Sequence, residues 1–458
     1  MALPPTPPTP PPSQSLYILS LPEENNATTN TLPLVLWSSN RYEPQFRYVL
    51  DVYYEGETQR LTRIKLNNNA SFQGGAGTID LAPLVRNYLS YDKPWYTSGS
   101  TFTPNTNAAR FKFIGGEEYA TSLSGSAVLR TGFDSIGEPA VSCSILNLFP
   151  IVNEYDVGSY DWDFDAKAGR VLSNNPNRGN DRVVGVEKKA SYGTAIYDDD
   201  WETLTFFDNI SGSEAIEFDA IEVTVYSGST SIAFEDILVT ASAFSNENML
   251  RYVGSGPKNL KATSANLRNA FLTGSWTSYN VYTDIIVKDG KGNRFSDHWY
   301  YNAGCTNYER TRFAWINKYG TWDYYNIDLP LARQTELEKK QTTRPHLQSQ
   351  DFWAVAFSGS VPELVNGPVY NINNRGLDNY YTQPVDTFII STNWLTEDEA
   401  NWLTELNDSP DVYVQIDDTF QPINLTSLTY QWKTNKRGQK TFKFEIEYKL
   451  SNQRISIR

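Results

Sequence analysis

Residues 305–328 constrain the fold more tightly than any other stretch. They read CTNYERTRFAWINKYGTWDYYNID, and seven of them are aromatic. Aromatic side chains favour strands. Thr311–Ile316 is expected to form one strand, with Phe313 and Trp315 on one face, and Trp322–Ile327 its returning partner. Between them Lys318–Gly320 reads as a tight turn, with Asn317 and Gly320 suited to positive φ. The block is expected as the core hairpin of a C-terminal β-rich domain, with Trp315 and Trp322 packed beneath it.

The composition extends this reading to the whole chain. Aromatics make up 14% of 458 residues, and 28 glycines and 24 prolines supply many turns. The length suits two or three domains with cores of their own. The fold expected is mainly β. It has antiparallel sandwich domains, the N-terminal one immunoglobulin- or fibronectin type III-like, and a C-terminal β-rich domain carrying one short capped helix. Four regions follow. Residues 1–14 form an extended proline-rich arm, 15–150 an N-terminal β-sandwich, 151–260 a middle β-rich region and 261–458 the C-terminal domain.

The arm holds seven prolines between Pro4 and Pro12. Such a segment is polyproline II and cannot build a core alone. Pro4, Pro7, Pro10 and Pro12 are candidate interface residues, because a stiff segment costs less entropy to dock. In the sandwich, Phe46–Tyr54 and Gln59–Leu66 read as a hairpin, with Ile64 and Leu66 on one face. Asp80 is expected to cap a short helix turning Leu84, Val85, Tyr88 and Leu89 inward. Further strands are expected at Arg110–Ile114, Val141–Leu148, Thr203–Phe207, Ile216–Tyr226, Ser231–Thr240, Tyr279–Lys288 and Phe295–Tyr301. Arg333–His346 has no periodic apolar face and reads as an exposed loop or hairpin tip. The helix at Thr396–Asn407 is marked by a Thr396/Glu399 capping box, by staple spacing of Leu395 and Ala400, and by an inward face of Trp402, Leu403 and Leu406. Thr441–Leu450, TFKFEIEYKL, alternates strictly, and its charged face is expected to guard a sheet edge.

Several function classes are excluded on these grounds. A net charge of −14 gives no footprint for direct nucleic-acid binding. No run of 18 apolar residues predicts membrane insertion, and the N-terminus lacks a basic-then-apolar leader pattern. Cys143 and Cys305 are too few for a zinc site, and whether they pair is left open. Asp161, Asp163 and Asp165 share one face of an extended segment. Ala166 and Leu172 stand where an EF-hand loop needs Gly and Glu, so a solvated strand face is expected and no metal or cofactor. His298 and His346 are the only histidines, and neither lies near a nucleophile motif. Paired carboxylates of a glycoside hydrolase arise by chance among 53 acidic residues. The expectation is a non-enzyme with no catalytic residues. Sugar stacking on exposed Trp and Tyr is the alternative, and glycoside hydrolysis the second.

A resemblance runs through the outer parts of the chain. It begins with FRYVLDVYYEG at 46–56, IDLAPLVRNYL at 79–89 and GEEY at Gly116–Tyr119. The pattern C-x-x-Y-x-x-x-R-x-x-W-x-N-x-x-G-x-W-D-Y follows, on Cys305, Tyr308, Arg312, Trp315, Asn317, Gly320, Trp322, Asp323 and Tyr324. A segment from Trp394 to Tyr413, including Trp402, closes it. In this order the chain resembles uncharacterised virion structural proteins of tailed bacteriophages and prophages of Bacteroidota-like or marine hosts. Residues 151–260 have no counterpart in the pattern. The resemblance implies a structural subunit of a tail, collar or tail-tip assembly, located in the tail or neck of the virion. It implies contacts with further copies of itself and with other virion proteins, and a host-surface glycan as a further ligand to test.

Overall fold

The computed structural model describes residues 15–20, 22, 25–28, 31–68, 74–91, 93, 101–102, 107–131, 140–146, 172–173, 175–176, 194–197, 199–207, 218–227, 230–238, 250–273, 281–289, 294–302, 308–343, 355–358, 360–364, 377–417, 419–434, 440–452 and 456–457. The chain is mainly β. It divides into two compact units that alternate along the sequence: Met1–Thr306, Ala314–Asn326 and Glu397–Pro410 form the first, and Asn307–Phe313, Ile327–Thr396 and Asp411–Arg458 the second. The expected boundary at 260 falls inside the first unit, which also takes in the central part of the aromatic hairpin and the capped helix.

The first unit opens with a two-sheet sandwich. One sheet has β1 (Leu16–Ser20), β3 (Pro33–Ser38) and β6 (Gly77–Asp80) in the order β1-β3-β6, all antiparallel. The other runs β10 (Ala140–Leu146), β8 (Ala108–Tyr119), β4 (Arg47–Tyr54), β5 (Thr62–Asn67), again antiparallel. The short β2 (Asn25–Ala27) adds to β10 in parallel, and β9 (Val128–Thr131) pairs the far end of β8. Strands one, three and six on one sheet, facing four, five, eight and ten on the other, give the strand arrangement of an immunoglobulin or fibronectin type III sandwich. Period-two burial makes this possible: Leu34 and Leu36 point inward from β3. They share one core with Tyr48, Leu50, Val52, Phe111, Phe113, Cys143 and Ile145.

The helix α1 (Ala82–Arg86) closes that core with Val85. Its N-cap is Leu81, with no side-chain cap. Asp80 sits one position earlier than expected, and its Oδ1 accepts from both Leu32 N (2.8 Å) and Ala82 N (3.1 Å). It therefore pins helix start to strand start instead of capping. Cys143 is a buried free thiol, while Cys305 lies outside the described residues.

A second sheet system follows in the same unit. β11 (Thr194–Ile196), β17 (Arg294–Asn302), β16 (Val281–Asp289), β13 (Phe218–Ser227) and β14 (Thr230–Leu238) pair in that order. A smaller sheet joins β12 (Thr203–Phe207), β15 (Leu250–Gly254) and β7 (Thr101–Phe102). Two short helices, α2 (Pro257–Thr263) and α3 (Ala265–Thr273), connect β15 to β16. The sequence reading contained neither helix. Asp161, Asp163, Asp165 and His346 lie outside the described residues, and so does the side chain of His298. The aromatic hairpin forms as expected, as β18 (Thr311–Ile316) and β19 (Trp322–Ile327). The capped helix runs Glu397–Asp408, as α4. It begins directly after Thr396, and Glu397, Asp398 and Glu399 complement its positive end.

The second unit is built on one antiparallel sheet. Its strands are β24 (Val412–Ile416), β25 (Thr419–Thr434), β26 (Lys440–Leu450), β23 (Leu377–Ser391) and β20 (Ala332–Thr343), paired in that order. β27 (Ser456–Ile457) adds to β23, and β21 (Val355–Ser358) with β22 (Val361–Leu364) forms a separate hairpin. Phe444, Ile446 and Tyr448 are buried, as the alternation requires. Tyr448 packs edge-on against Phe313 (5.5 Å) and stacks on Phe388 (5.2 Å). The expected edge role of this strand is corrected. β26 is hydrogen-bonded on both sides, by β25 and β23, so its charged residues mark a solvated face and not an edge. The polar stretch expected as a loop is also corrected: Ala332–Thr343 is a continuous strand. Backbone pairing holds it without a buried face.

Candidate subunit-contact surface

The residues singled out by sequence divide between a buried hub and the surface. In the first unit, Gly320 closes the turn with φ +71°. Asn317 does not adopt positive φ, contrary to expectation. Its side chain forms the turn instead: Oδ1 accepts from Tyr319 N (2.9 Å) and Thr321 N (3.2 Å). Its Nδ2 donates to Leu172 O (2.8 Å), and the Thr321 hydroxyl donates to the same carbonyl (2.7 Å). Asn107 Nδ2 donates to Gly320 O (3.0 Å). An asparagine thus satisfies backbone groups that a buried turn would otherwise orphan.

Asp323 is the other pole of the hub. It is fully buried, and it accepts hydrogen bonds from Ser173 Oγ (2.6 Å) and from Trp402 Nε1 (2.7 Å). Trp402 also packs on Trp315 (5.1 Å between ring centroids) and edge-on to Tyr325 (5.8 Å). The last turn of β18 and α4 are stitched further by Ile316 N to Ser409 Oγ (3.0 Å) and Lys318 N to Glu405 Oε2 (3.3 Å). Trp315 and Trp322 are both buried, as expected. Three distant segments, at Asn107, Leu172–Ser173 and Trp402–Ser409, therefore meet on the 316–323 stretch. The arrangement is a scaffold. Most of its polar atoms are spent on one another and on backbone, in the manner of a buried network that fixes one packing, while the buried Trp315 Nε1 makes no hydrogen bond among the described residues.

Of the remaining motif residues, Arg312 is buried and Tyr308 is half exposed. Cys305, Pro4, Pro7, Pro10 and Pro12 lie outside the described residues. Among the described residues no three His, Cys, Asp or Glu side chains gather to hold a metal ion, and no helix is long and apolar enough to cross a membrane. A cleft in the second unit lined by Ser391, Thr429, Lys443, Phe444 and Glu445 holds about 70 Å³. That is room for two or three waters, not a sugar.

The exposed feature is the β20–β23 ribbon of the second unit. β23 is backed by β26 only over Thr387–Ser391. Its pairing with β20 continues from Ala332↔Ile389 to Thr343↔Leu377. Residues 335–343 thus extend past β26 by roughly 30 Å, where the short β27 pairs β23 at Tyr381 and Thr382. Every side chain described from Leu331 to Thr342 is exposed. Cross-strand pairs hold the ribbon. Arg333 bonds Asp386 (2.6 Å) and lies over the Phe388 ring, Thr335 donates to Asp386 (2.6 Å), Lys340 lies over Tyr381 and Gln341 donates to Asn379 (2.8 Å). The Asp386 carboxylate pushes the Arg333 guanidinium further up from its ordinary value. Such cross-strand pairs are what stabilises a sheet where no core does. Outside the two residues that β27 pairs, the ribbon is two-stranded, and two strands with no face to bury are marginal in water. Leu337, Leu377 and Tyr380 stand on it more than half exposed. No composition or periodicity signal marks this surface in the sequence.

No family model matches the chain, and no curated protein matches it. Among solved structures, it is similar to two forms of the plexin A4 full extracellular region, one with domains 1 to 8 and one with domains 1 to 10. Each shows 8% identity and a TM-score of 0.17, over 97% of this chain and 46% or 40% of the plexin chain. The chain thus spans less than half the length of those structures, and at that TM-score the likeness carries no argument.

Proposed function

We propose that this protein is a structural subunit of a tailed-phage virion, in a tail, collar or tail-tip assembly, working through subunit–subunit contacts. The observation that carries the reading is the β20–β23 ribbon, which extends past β26 with exposed apolar residues and a β20 edge that no described strand pairs. An open edge and an unsupported ribbon are liabilities in a free protein and assets in an assembly, where a neighbour covers them. The motif resemblance supplies the virion context, and the sandwich and hub supply rigid platforms. Further copies of the chain and neighbouring virion proteins are the partners on this reading, with no catalytic step. The test is immunogold labelling and fractionation of phage particles. Label on the tail or neck, at symmetric copy number, is expected. A monomeric protein absent from particles overturns the proposal, and retention on host glycans by free protein would replace it with receptor binding.

A further inference from the structure

β20 is the last strand of its sheet, paired on one side by β23, and no described strand pairs its other side. Its 12 residues read ARQTELEKKQTT. Glu336, Glu338 and Lys340 lie opposite Val385, Gln383 and Tyr381, so they share one face of the ribbon, and Lys339, opposite Thr382, lies on the other. An acidic half of the edge is therefore followed by a basic half.

We propose that this edge pairs with the β20 edge of a second copy of the chain, antiparallel and about a two-fold axis, joining two ribbons into one four-stranded ribbon. The charge order selects the occupant and the direction. A parallel, in-register pairing sets Glu336, Glu338, Lys339 and Lys340 each beside its own kind, which is destabilising. A two-fold axis perpendicular to the ribbon keeps each face on its own side, so each residue meets one from the same face of the partner. Two central registers satisfy this. Centred on Glu338, the pairing sets Lys340 opposite Glu336 twice by symmetry and Glu338 opposite its own copy once, and lays the aliphatic stem of Lys339 against the exposed Leu337. Centred on Lys339, it sets Lys340 opposite Glu338 twice and Lys339 opposite its own copy once, so in either register two attractive pairs stand against one like-charge pair, where the parallel pairing has only like-charge pairs. Lys340 meets an acid in both. The same lysines repel a strand lacking acids at these positions, so the edge is selective. Four strands also remove the marginality of two.

The inference rests on the subunit-contact reading only in requiring self-association, and its test is read in solution, apart from any particle. Sedimentation velocity on the full chain is expected to show a concentration-dependent dimer. Lys340→Glu weakens dimerisation by roughly tenfold, since two symmetry-related pairs become repulsive at once. Adding Glu336→Lys to Lys340→Glu restores the dimer in the first register, and adding Glu338→Lys restores it in the second. All three substituted residues are exposed, so an unchanged far-UV spectrum is expected for every variant. A wild-type chain that stays monomeric, a Lys340→Glu chain that dimerises like wild type, or failure of both double exchanges overturns the proposal.

Discussion

Replacing Trp402 by Phe tests whether the hub around Asp323 holds the first unit together. The substitution keeps an aromatic ring in the helix but removes the indole N–H that lies 2.7 Å from Asp323. Asp323 is fully buried and Trp402 is 3% exposed, so water cannot replace the lost donor. A hydrogen bond to a charged group contributes about 1.5–3 kcal/mol. The smaller ring forfeits about 1 kcal/mol of apolar burial against Trp315. The expected loss is therefore roughly 3–4 kcal/mol. In urea this moves the unfolding midpoint of the unit down by about 1–2 M, followed by tryptophan emission. Trp394→Phe is the control. Its parent is 52% exposed, and the change is expected to stay within about 0.5 kcal/mol. Asp323→Asn combined with Trp402→Phe should cost less than the two single changes added, because they remove one shared bond. A Trp402→Phe midpoint indistinguishable from wild type would falsify the assignment of Asp323 and Trp402 as a coupled pair.

Gly320→Val is expected to destabilise the turn by about 2 kcal/mol or more, since φ +71° disfavours a β-branched residue, with Gly320→Asn milder; melting curves of the pair decide. Burial pushes the Cys143 thiol up from 9.0 to about 12. Its contribution to stability is intact below pH 9 and is lost at about 1.4 kcal/mol per pH unit as pH rises toward 12. Cys143→Ala should flatten that alkaline slope in denaturant titrations, and the native thiol should resist alkylation at pH 8. Asp51 is fully buried and bonded to Arg63 at 2.6 Å and to Arg60 at 3.2 Å. Arg63→Ala removes the fork but leaves Arg60, and both arginines are partly solvated. A loss of about 1–2 kcal/mol is expected in a chemical melt, well below that for a fully buried pair.

How legible each element was depended on whether its order came from side chains or from backbone. β18, β19 and β12 begin and end where expected, because short runs of strand-forming residues between turn residues leave little choice. The capped helix was also legible from Thr396, Glu399 and the Trp402–Leu403–Leu406 face, and all three apolar residues are buried. β20 was not legible, since its strand character comes from pairing with β23 and no side chain in it turns to a core. The alternation of β26 showed correctly which face is buried. It could not show whether both edges are paired, because hydrogen-bond partners leave no mark on a strand's own pattern. The hub's turn residues were visible in the sequence, but Ser173, Leu172 and Asn107 were not. They reach the turn across 145 to 213 positions of sequence, a distance over which no local signal operates. Asn317 shows the remaining ambiguity: a turn asparagine acts through its φ or through its amide, and composition favours neither.

The alternating order of the two units sets a timetable. Ser173 waits 150 residues for Asp323, and Asp323 a further 79 for Trp402. At ribosomal speeds of roughly 5–20 residues per second, the second interval alone lasts about 4–16 s. During it the nascent chain carries a carboxylate destined for burial whose indole partner has yet to be made. The first unit, which begins at the N-terminal end of the sequence, is thus among the last to be finished. Chains halted before residue 397 should emerge as substrates for chaperones and proteases.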